Sequence, residues 1–348
     1  MPKDSTALLL VPTGIGAAIG GYAGDAIPVA KMISQVVGTL ITHPNVLNGA
    51  GLYWPMDNTL YVEGYALDQF AKGNWHLQRV NSNRVGLLLD KGIEPDLLLR
   101  HLQVAEASRA TLGLELSDYL VTDEPLEITL QTSASGASWG NITNPSSLLR
   151  GADKLINLAQ AQAIAVVTRF PEEPPESIVL QNYRQGFGVD PLSGAEAVIS
   201  HLIVQRFGIP AAHAPALNPL PLSQDISPKA AAEEIGYTFL PSVLVGLSRA
   251  PRYINKYQSN SISSADVDYV ITPASACGGS ALLSLASKGA TIIAVEENHT
   301  QMRVFPESLG IKAIRVKSYL EAVGVIVSKN CGISLESLGP NISRLERL

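Results

Sequence analysis

The sequence predicts an α/β protein built on largely parallel sheet with Rossmann-like βαβ units. Three observations predict it. Short apolar runs alternate with helix-period segments along the 348 residues. Hydrophobic residues make up 46% of the chain and charged residues only 16%, so much of it must be buried. Residues 266–300 read in turn as strand ("DVDYVITP"), loop ("ASACGG"), helix ("SALLSLASKG") and strand ("ATIIAVEENHT"), with the short connections of a βαβ unit.

The elements follow in order. "TALLLV", residues 6–11, is a strand that runs into a Gly-rich stretch carrying Gly14, Gly16, Gly20, Gly21 and Gly24. Residues 5–24 carry no charge, which is the length of a membrane span. Pro12 and the glycines oppose that helix, at about 3 and 1 kcal/mol each, and Asp4 beside Lys3 opposes a signal peptide. A helix is expected at 27–37, then a strand and its exit in "GTLITHPN", 38–45. "LYVEG" (60–64) and "RVGLLLD" (84–90) are strands, and 95–113 is a helix stopped by Gly113. After "DYLVTD", residues 126–145 begin as a strand and become a long loop of small polar residues, "TSASGASWGNITNP". A helix (146–162) and a buried strand, "AIAVVTRF", lead to "PEEPPES", 171–177. That stretch suggests two lobes of similar size, 1–175 and 176–348, and equally suits a surface loop within one domain. Beyond it come a helix (194–208), a short strand, "IPAAHAP", and a segment (227–251) helical at both ends with a break near Gly236 and Pro241. The βαβ unit and a last helix, "YLEAVGVIVSK", complete the chain.

The formal net charge is −6, and basic residues form no long run, so nucleic acid is not an expected partner. Two cysteines, neither in a CxxC pair, exclude a disulfide framework and suit a cytoplasmic location. A membrane partner is not expected. The low charge fraction suits a homo-oligomer, as it does a large core. No HxH, HExxH or regular carboxylate–His spacing marks a metal site, and no cofactor is specified.

Several strands end alike, in Pro, Thr, Ser, Asn or His. Ligands of open parallel sheets bind beyond the carboxyl ends of the strands. The candidate edge holds Thr13, His43, Asn45, Ser275, Cys277, Glu297, Asn298 and His299. His43, Cys277, Glu297 and His299 are the catalytic candidates. Cys277 at a helix start suits a thiolate nucleophile, or a small residue packed in a turn. Gly14, Gly16, Gly20 and Gly21 are candidates to cradle an anion, or simply form a tight turn. Gly278 and Gly279 are stronger candidates, sitting between a strand and a helix. Asp25 reads as a helix cap or ligand partner, and Ser133, Ser135 and Asn141 as donors in the long loop. His101 and His201 fall inside helical patterns and read as surface or core-edge residues.

The stretches "VPTGIGAAIGGYAGDAIPVAKM", "LITHPNVLNGAG", "GYTFLPSVLVGLSRAP" and "VITPASACGGSALLSLASKGATIIAVEENHT" together resemble the family known as domain of unknown function 3326. The resemblance implies one family unit across most of the chain. It also implies a soluble protein of photosynthetic lineages, cytoplasmic in bacteria or plastid-located in eukaryotes. It carries no activity or site residue. The leading expectation is an enzyme acting on a small anionic metabolite, phosphorylated or carboxylated, held by Gly14–Gly21 and Ser275–Gly279. One alternative is a nicotinamide-dinucleotide oxidoreductase with Glu296 or Glu297 on the ribose; the other is a noncatalytic binding or assembly protein.

Overall fold

The computed structural model describes residues 4–22, 24–48, 55–235 and 239–345. The chain begins with β1 (Thr6–Leu9), α1 (Ile27–Ser34), β2 (Thr39–Thr42), α2 (Pro44–Leu47), β3 (Thr59–Tyr61) and α3 (Gly64–Lys72). Next come β4 (His76–Gln78), β5 (Val85–Leu89), α4 (Pro95–Leu112), β6 (Leu116–Val121), β7 (Ile128–Thr132), β8 (Ser138–Ile142) and α5 (Pro145–Ala159). The middle continues with β9 (Ala163–Arg169), α6 (Ile178–Arg184), α7 (Ser193–Phe207), β10 (Ala211–Ala216), α8 (Pro228–Ile235) and α9 (Leu240–Ser248). The last part holds β11 (Arg252–Ile254), β12 (Ser261–Ile262), β13 (Val267–Pro273), α10 (Ser280–Ser287), β14 (Thr291–Val295), β15 (Ala313–Val316) and α11 (Tyr319–Asn330).

The α/β expectation holds. A six-stranded sheet runs β15-β14-β13-β1-β2-β3 and a four-stranded sheet β10-β9-β5-β6, every pairing parallel. Strands buried on both faces read as continuous apolar runs: all residues of β1 and β5 are buried. Both sheets draw strands from either side of 171–177, because β9 and β10 pair across it and β1 pairs with β13.

Three apolar clusters layer the molecule. One lies between the sheets, where α3 and α10 from the larger meet α5 and α7 from the smaller. A second packs α1 and α11 on the outer face of the large sheet. The third packs α4 and α9 on the outer face of the small sheet. Fully buried Leu8, Leu40, Leu88 and Phe70 anchor these layers, each worth about 1.5–3 kcal/mol on removal from water. Gly113 takes φ +67° as the left-handed cap of α4, as its place in the sequence suggests.

The stretch expected as a long small-residue loop is largely a hairpin. β7 and β8 pair antiparallel in unbroken register from Ile128↔Ile142 to Thr132↔Ser138. Its small residues answer to packing: α7 approaches so closely that a Cβ on Gly194 would stand 2.2 Å from the Ser138 carbonyl oxygen. Gly236, at the expected break, lies outside the described residues, and Pro241 opens α9 in its first turn. Among the described residues no helix is long and apolar enough to cross a membrane. The uncharged start forms β1 and a loop.

Gly194→Ala forces a methyl onto backbone, which cannot rotate away. The expected loss is about 2–4 kcal/mol, read as a lower urea midpoint. An unchanged midpoint would show that α7 and the hairpin do not depend on this contact.

Candidate functional site

The strand order of the large sheet reverses between β13 and β1. From β1 the chain winds through β2 to β3, and from β13 through β14 to β15. The first connecting helices, α1 and α10, lie on opposite faces. Such a switch point opens a crevice at the carboxyl ends of the strands. A cavity of about 550 Å³ occupies this crevice and continues to the exits of β9 and β10 in the smaller sheet.

The register sets a row of side chains on its floor. Leu8 stands opposite Val270 and Ile41; two residues on, Leu10 falls between Thr272 and His43, and all three line the cavity. His43 is buried. Its Nε2 accepts the Val11 N–H at 3.2 Å, so the neutral ring carries its proton on Nδ1. Burial pushes its pKa down to about 4, which makes His43 a neutral donor at physiological pH.

The walls are acidic. Carboxylates come from the exit of β3 and α3 (Glu63, Asp68), the exit of β9 (Glu172, Glu173), α7 and its approach (Asp190, Glu196), and α8 (Glu233, Glu234). Among the described residues no Lys or Arg lines the cavity. Two acids are neutralised from behind: Glu172 by Arg169 at 2.7 Å and Glu234 by Arg184 at 2.7 Å.

Glu63 is 3% exposed and caps α3, accepting the N–H groups of Tyr65 at 2.8 Å and Ala66 at 3.3 Å. It also pairs with His201 Nδ1. Burial alone would lower the His201 pKa, but the Glu63 hydrogen bond and charge outweigh it and raise it. Gly64 makes room for this ring, since a Cβ there would stand 2.9 Å from His201 Cε1.

Asp190 accepts from the Leu192 N–H at 2.9 Å and from Ser193 Oγ at 2.6 Å. Burial, with the charge of Glu196 nearby, pushes its pKa up to about 6. Glu196 lies 3.3 Å from His213 Nε2, while His213 Nδ1 is buried without a partner.

Of the sequence candidates, Thr13, His43, Asn45 and Gly279 line the cavity. The first Gly-rich loop serves another purpose. Ala18 N–H bonds the His299 carbonyl at 2.8 Å, Ile19 N–H bonds Asn298 Oδ1 at 2.9 Å, and Gly20 N–H bonds Asp25 Oδ1 at 2.7 Å. Asn45 holds the Gly20 carbonyl at 2.9 Å, and Gly14 accepts the Ser138 N–H at 2.9 Å. Gly14, Gly16 and Gly20 take φ between +61° and +92°, a backbone other residues rarely adopt. Gly21 packs against Ala17. With these donors engaged, the loop is a clasp between elements.

The other candidates lie elsewhere. Glu297 is exposed and accepts the Tyr319 N–H at the start of α11. His299 is exposed, Glu296 pairs with Arg315, and none of the three lines the cavity. Asn298 is 1% exposed and engaged by Ile19 and Tyr319. Ser275 bonds Thr300, and Gly278 packs on Val304. Ser133 and Ser135 bond each other in the hairpin turn, and Asn141 pairs with Thr129. Cys277 is fully buried in the central cluster, and burial pushes its thiol up to about 11. Its burial favours the packing reading over a thiolate nucleophile.

Sequence reasoning misses Glu63, Asp190 and Glu196, leaves His213 without a role in its irregular stretch, and reads His201 as a surface or core-edge residue. Signals existed for some of them. Glu63-Gly64 before the amphipathic segment 65–72 marks a helix start, and Glu196 and His201 sit in one helix.

His43 makes acid stability measurable. A folded-state pKa below the ordinary 6.5 means stability is present above pH 6.5 and lost as pH falls toward 4. Wild type should lose roughly 2 kcal/mol from this residue between pH 7 and 4.5. His43→Gln keeps an acceptor near the Val11 N–H and removes the titration. Urea unfolding at both pH values should show a smaller pH difference in the variant; an equal difference would mean that the ring is charged in the folded protein.

Comparison with known proteins places the chain. An uncharacterised lipoprotein from Synechococcus sp. is 55% identical over 348 residues, covering 99% of this chain and 96% of that protein. No solved structure matches this chain significantly. The family model described as "Protein of unknown function (DUF3326)" matches residues 6–339. That span takes in both parallel sheets and the whole cavity lining, and the chain therefore belongs to the DUF3326 family.

Proposed function

We propose that the protein is an enzyme that binds a small amine-bearing metabolite in this cleft and moves protons on it. The carrying observation is the charge of the lining: eight carboxylates and three histidines with no Lys or Arg among the described residues. Even with Arg169 and Arg184 counted, and a charge on His201 allowed for, the wall is still negative. A cationic group gains from that field in a low-dielectric crevice, and a lone phosphate or carboxylate is repelled. An amine therefore replaces the purely anionic metabolite as the preferred substrate.

Two groups suit proton transfer. Asp190, raised to about 6, is poised to accept and return a proton near neutral pH. His43, lowered to about 4, offers a neutral N–H to a developing negative charge. The dinucleotide alternative draws no support, because Glu296 and Glu297 are engaged with Arg315 and α11 outside the cavity. A cytoplasmic placement is supported by two free thiols, Cys277 and Cys331. The name of the Synechococcus relative suggests membrane attachment instead, and cell fractionation decides between them.

A thermal-shift panel of amines, amino sugars, sugar phosphates and carboxylates tests the reading. An amine-bearing compound at 100 times its Kd stabilises by about 2.7 kcal/mol, and the shift should fade below pH 6 as Asp190 protonates. Hits confined to anions without an amine would sink it.

Asp190→Asn adds a check on the base. A raised carboxyl pKa means stability present below the ordinary 3.8 and lost as pH rises through about 6. The variant should thus be more stable than wild type at pH 8, by about 1–2 kcal/mol after allowing for partial exposure. It should match wild type near pH 4 and lose turnover. A variant less stable at pH 8 would show that the Asp190 charge is welcome in the fold.

A further inference from the structure

The same cleft contains a second, chemically opposite feature at α10. This helix begins after Gly279, and no side chain caps it. Its first helical bond runs from Leu283 N–H to the Gly279 carbonyl at 3.1 Å, so the N–H groups of Ser280, Ala281 and Leu282 precede the helical ladder. All three residues and Gly279 line the cavity. The preceding loop offers no competing donors at two of its positions: Ala276 N–H bonds the Pro273 carbonyl and Cys277 N–H the Val304 carbonyl. A Cβ on Gly279 would meet nothing within 4 Å, so the space before the helix is open.

An independent observation points to a ligand there. Thr272, on the strand that feeds this loop, is 0% exposed and lines the same cavity. Its Oγ1 has no hydrogen-bond partner, and Ser280 Oγ is likewise buried without one. A buried hydroxyl left unpaired is costly in a native fold and marks a missing partner. Three backbone N–H groups, two hydroxyls and the positive end of a helix dipole together fit an oxyanion.

We propose that the first turn of α10, with Thr272, seats a carboxylate or phosphate of the same ligand whose amine meets the carboxylates, so that the substrate is a zwitterion. The inference rests on the acidic-cleft reading. It resolves a conflict within the cleft: a free anion is repelled by the walls, whereas an oxyanion carried with an ammonium brings its own cation to them, leaving a carboxylate ligand neutral and a phosphate monoester with roughly one net negative charge. The seat also explains how an anionic group is held without Lys or Arg.

Backbone NMR of the full chain tests this with three probes: β-alanine, O-phosphoethanolamine and ethanolamine. A zwitterion should shift the amides of Ser280–Leu282 and of Leu192, which donates to Asp190, in a saturable way. Ethanolamine should move Leu192 alone. The zwitterion with the larger response names the oxyanion. Gly279→Asp places a carboxylate on the helix start, a favoured capping residue in open space, and should abolish the α10 response while keeping that of Leu192. Silence of Ser280–Leu282 with both zwitterions, or an undiminished response in Gly279→Asp, overturns the seat. Movement of Ser280–Leu282 without any response of Leu192 to ethanolamine overturns the acidic-cleft reading and the zwitterion with it. Thr272→Val supplies a readout without ligand. Removing an unpaired hydroxyl should raise the melting temperature and weaken zwitterion binding at least tenfold. A lower melting temperature with unchanged binding would overturn the role of Thr272.

Discussion

The clasp formed by the Gly-rich segment after β1 is the constraint on which the cleft depends. Asn298 holds both the N–H and the carbonyl of Ile19, while Ala18 and Ile15 bond the chain leaving β14. Gly14 receives the hairpin, and Tyr22 stacks on Tyr183 of α6 with ring centres 4.6 Å apart. One loop thus binds the large sheet, the hairpin and α6 together. The hairpin in turn carries the start of α7, and with it Asp190 and Glu196. Buried amide and backbone groups this well satisfied fix a unique geometry. The N–H groups of Ala18, Ile19 and Gly20 are taken within the clasp, which argues against that part of the loop as an anion cradle.

Glycine after a strand is therefore two different devices in this chain. Both loops follow a parallel strand and both are Gly-rich, so the sequence makes them look alike. What separates them is where the N–H groups go. At residues 18–20 they meet Asn298 and the His299 carbonyl, some 280 residues away, and Asp25 nearby. At Gly279 they face a cavity. Asn298 and His299, that distant in sequence, leave no local signature.

The α/β class, the βαβ unit and the shared edge were legible because period and strand endings are local. The hairpin was not, because its small residues report the approach of α7, a contact made in space. The site was legible in part. His43 stood out at a strand end and faces the cavity. Glu297 and His299 end a strand in the same style, yet they serve α11 and the clasp, because β14 lies one strand beyond the switch point. Strand order selects among equivalent endings, and sequence alone does not give strand order. Asp190 and Glu196 lay in and just before a helix that read as ordinary core packing.

The cleft keeps two titratable groups out of their ordinary ranges in opposite senses. Burial raises Asp190 toward 6 and lowers His43 toward 4, because a low-dielectric wall disfavours either charge. At neutral pH the first is a carboxylate near its midpoint and the second an uncharged donor. His201 is shifted the other way, since the hydrogen bond and charge of Glu63 beneath it outweigh burial and raise its pKa. Gathering eight carboxylates on one wall costs the fold stability, and Arg169 and Arg184 behind the lining, with His201 and His213 on it, offset part of that cost. The remaining negative charge faces the cavity. Under the proposed reading, a cationic group bound there would relieve that repulsion, so ligand binding and fold stability would draw on the same electrostatic term.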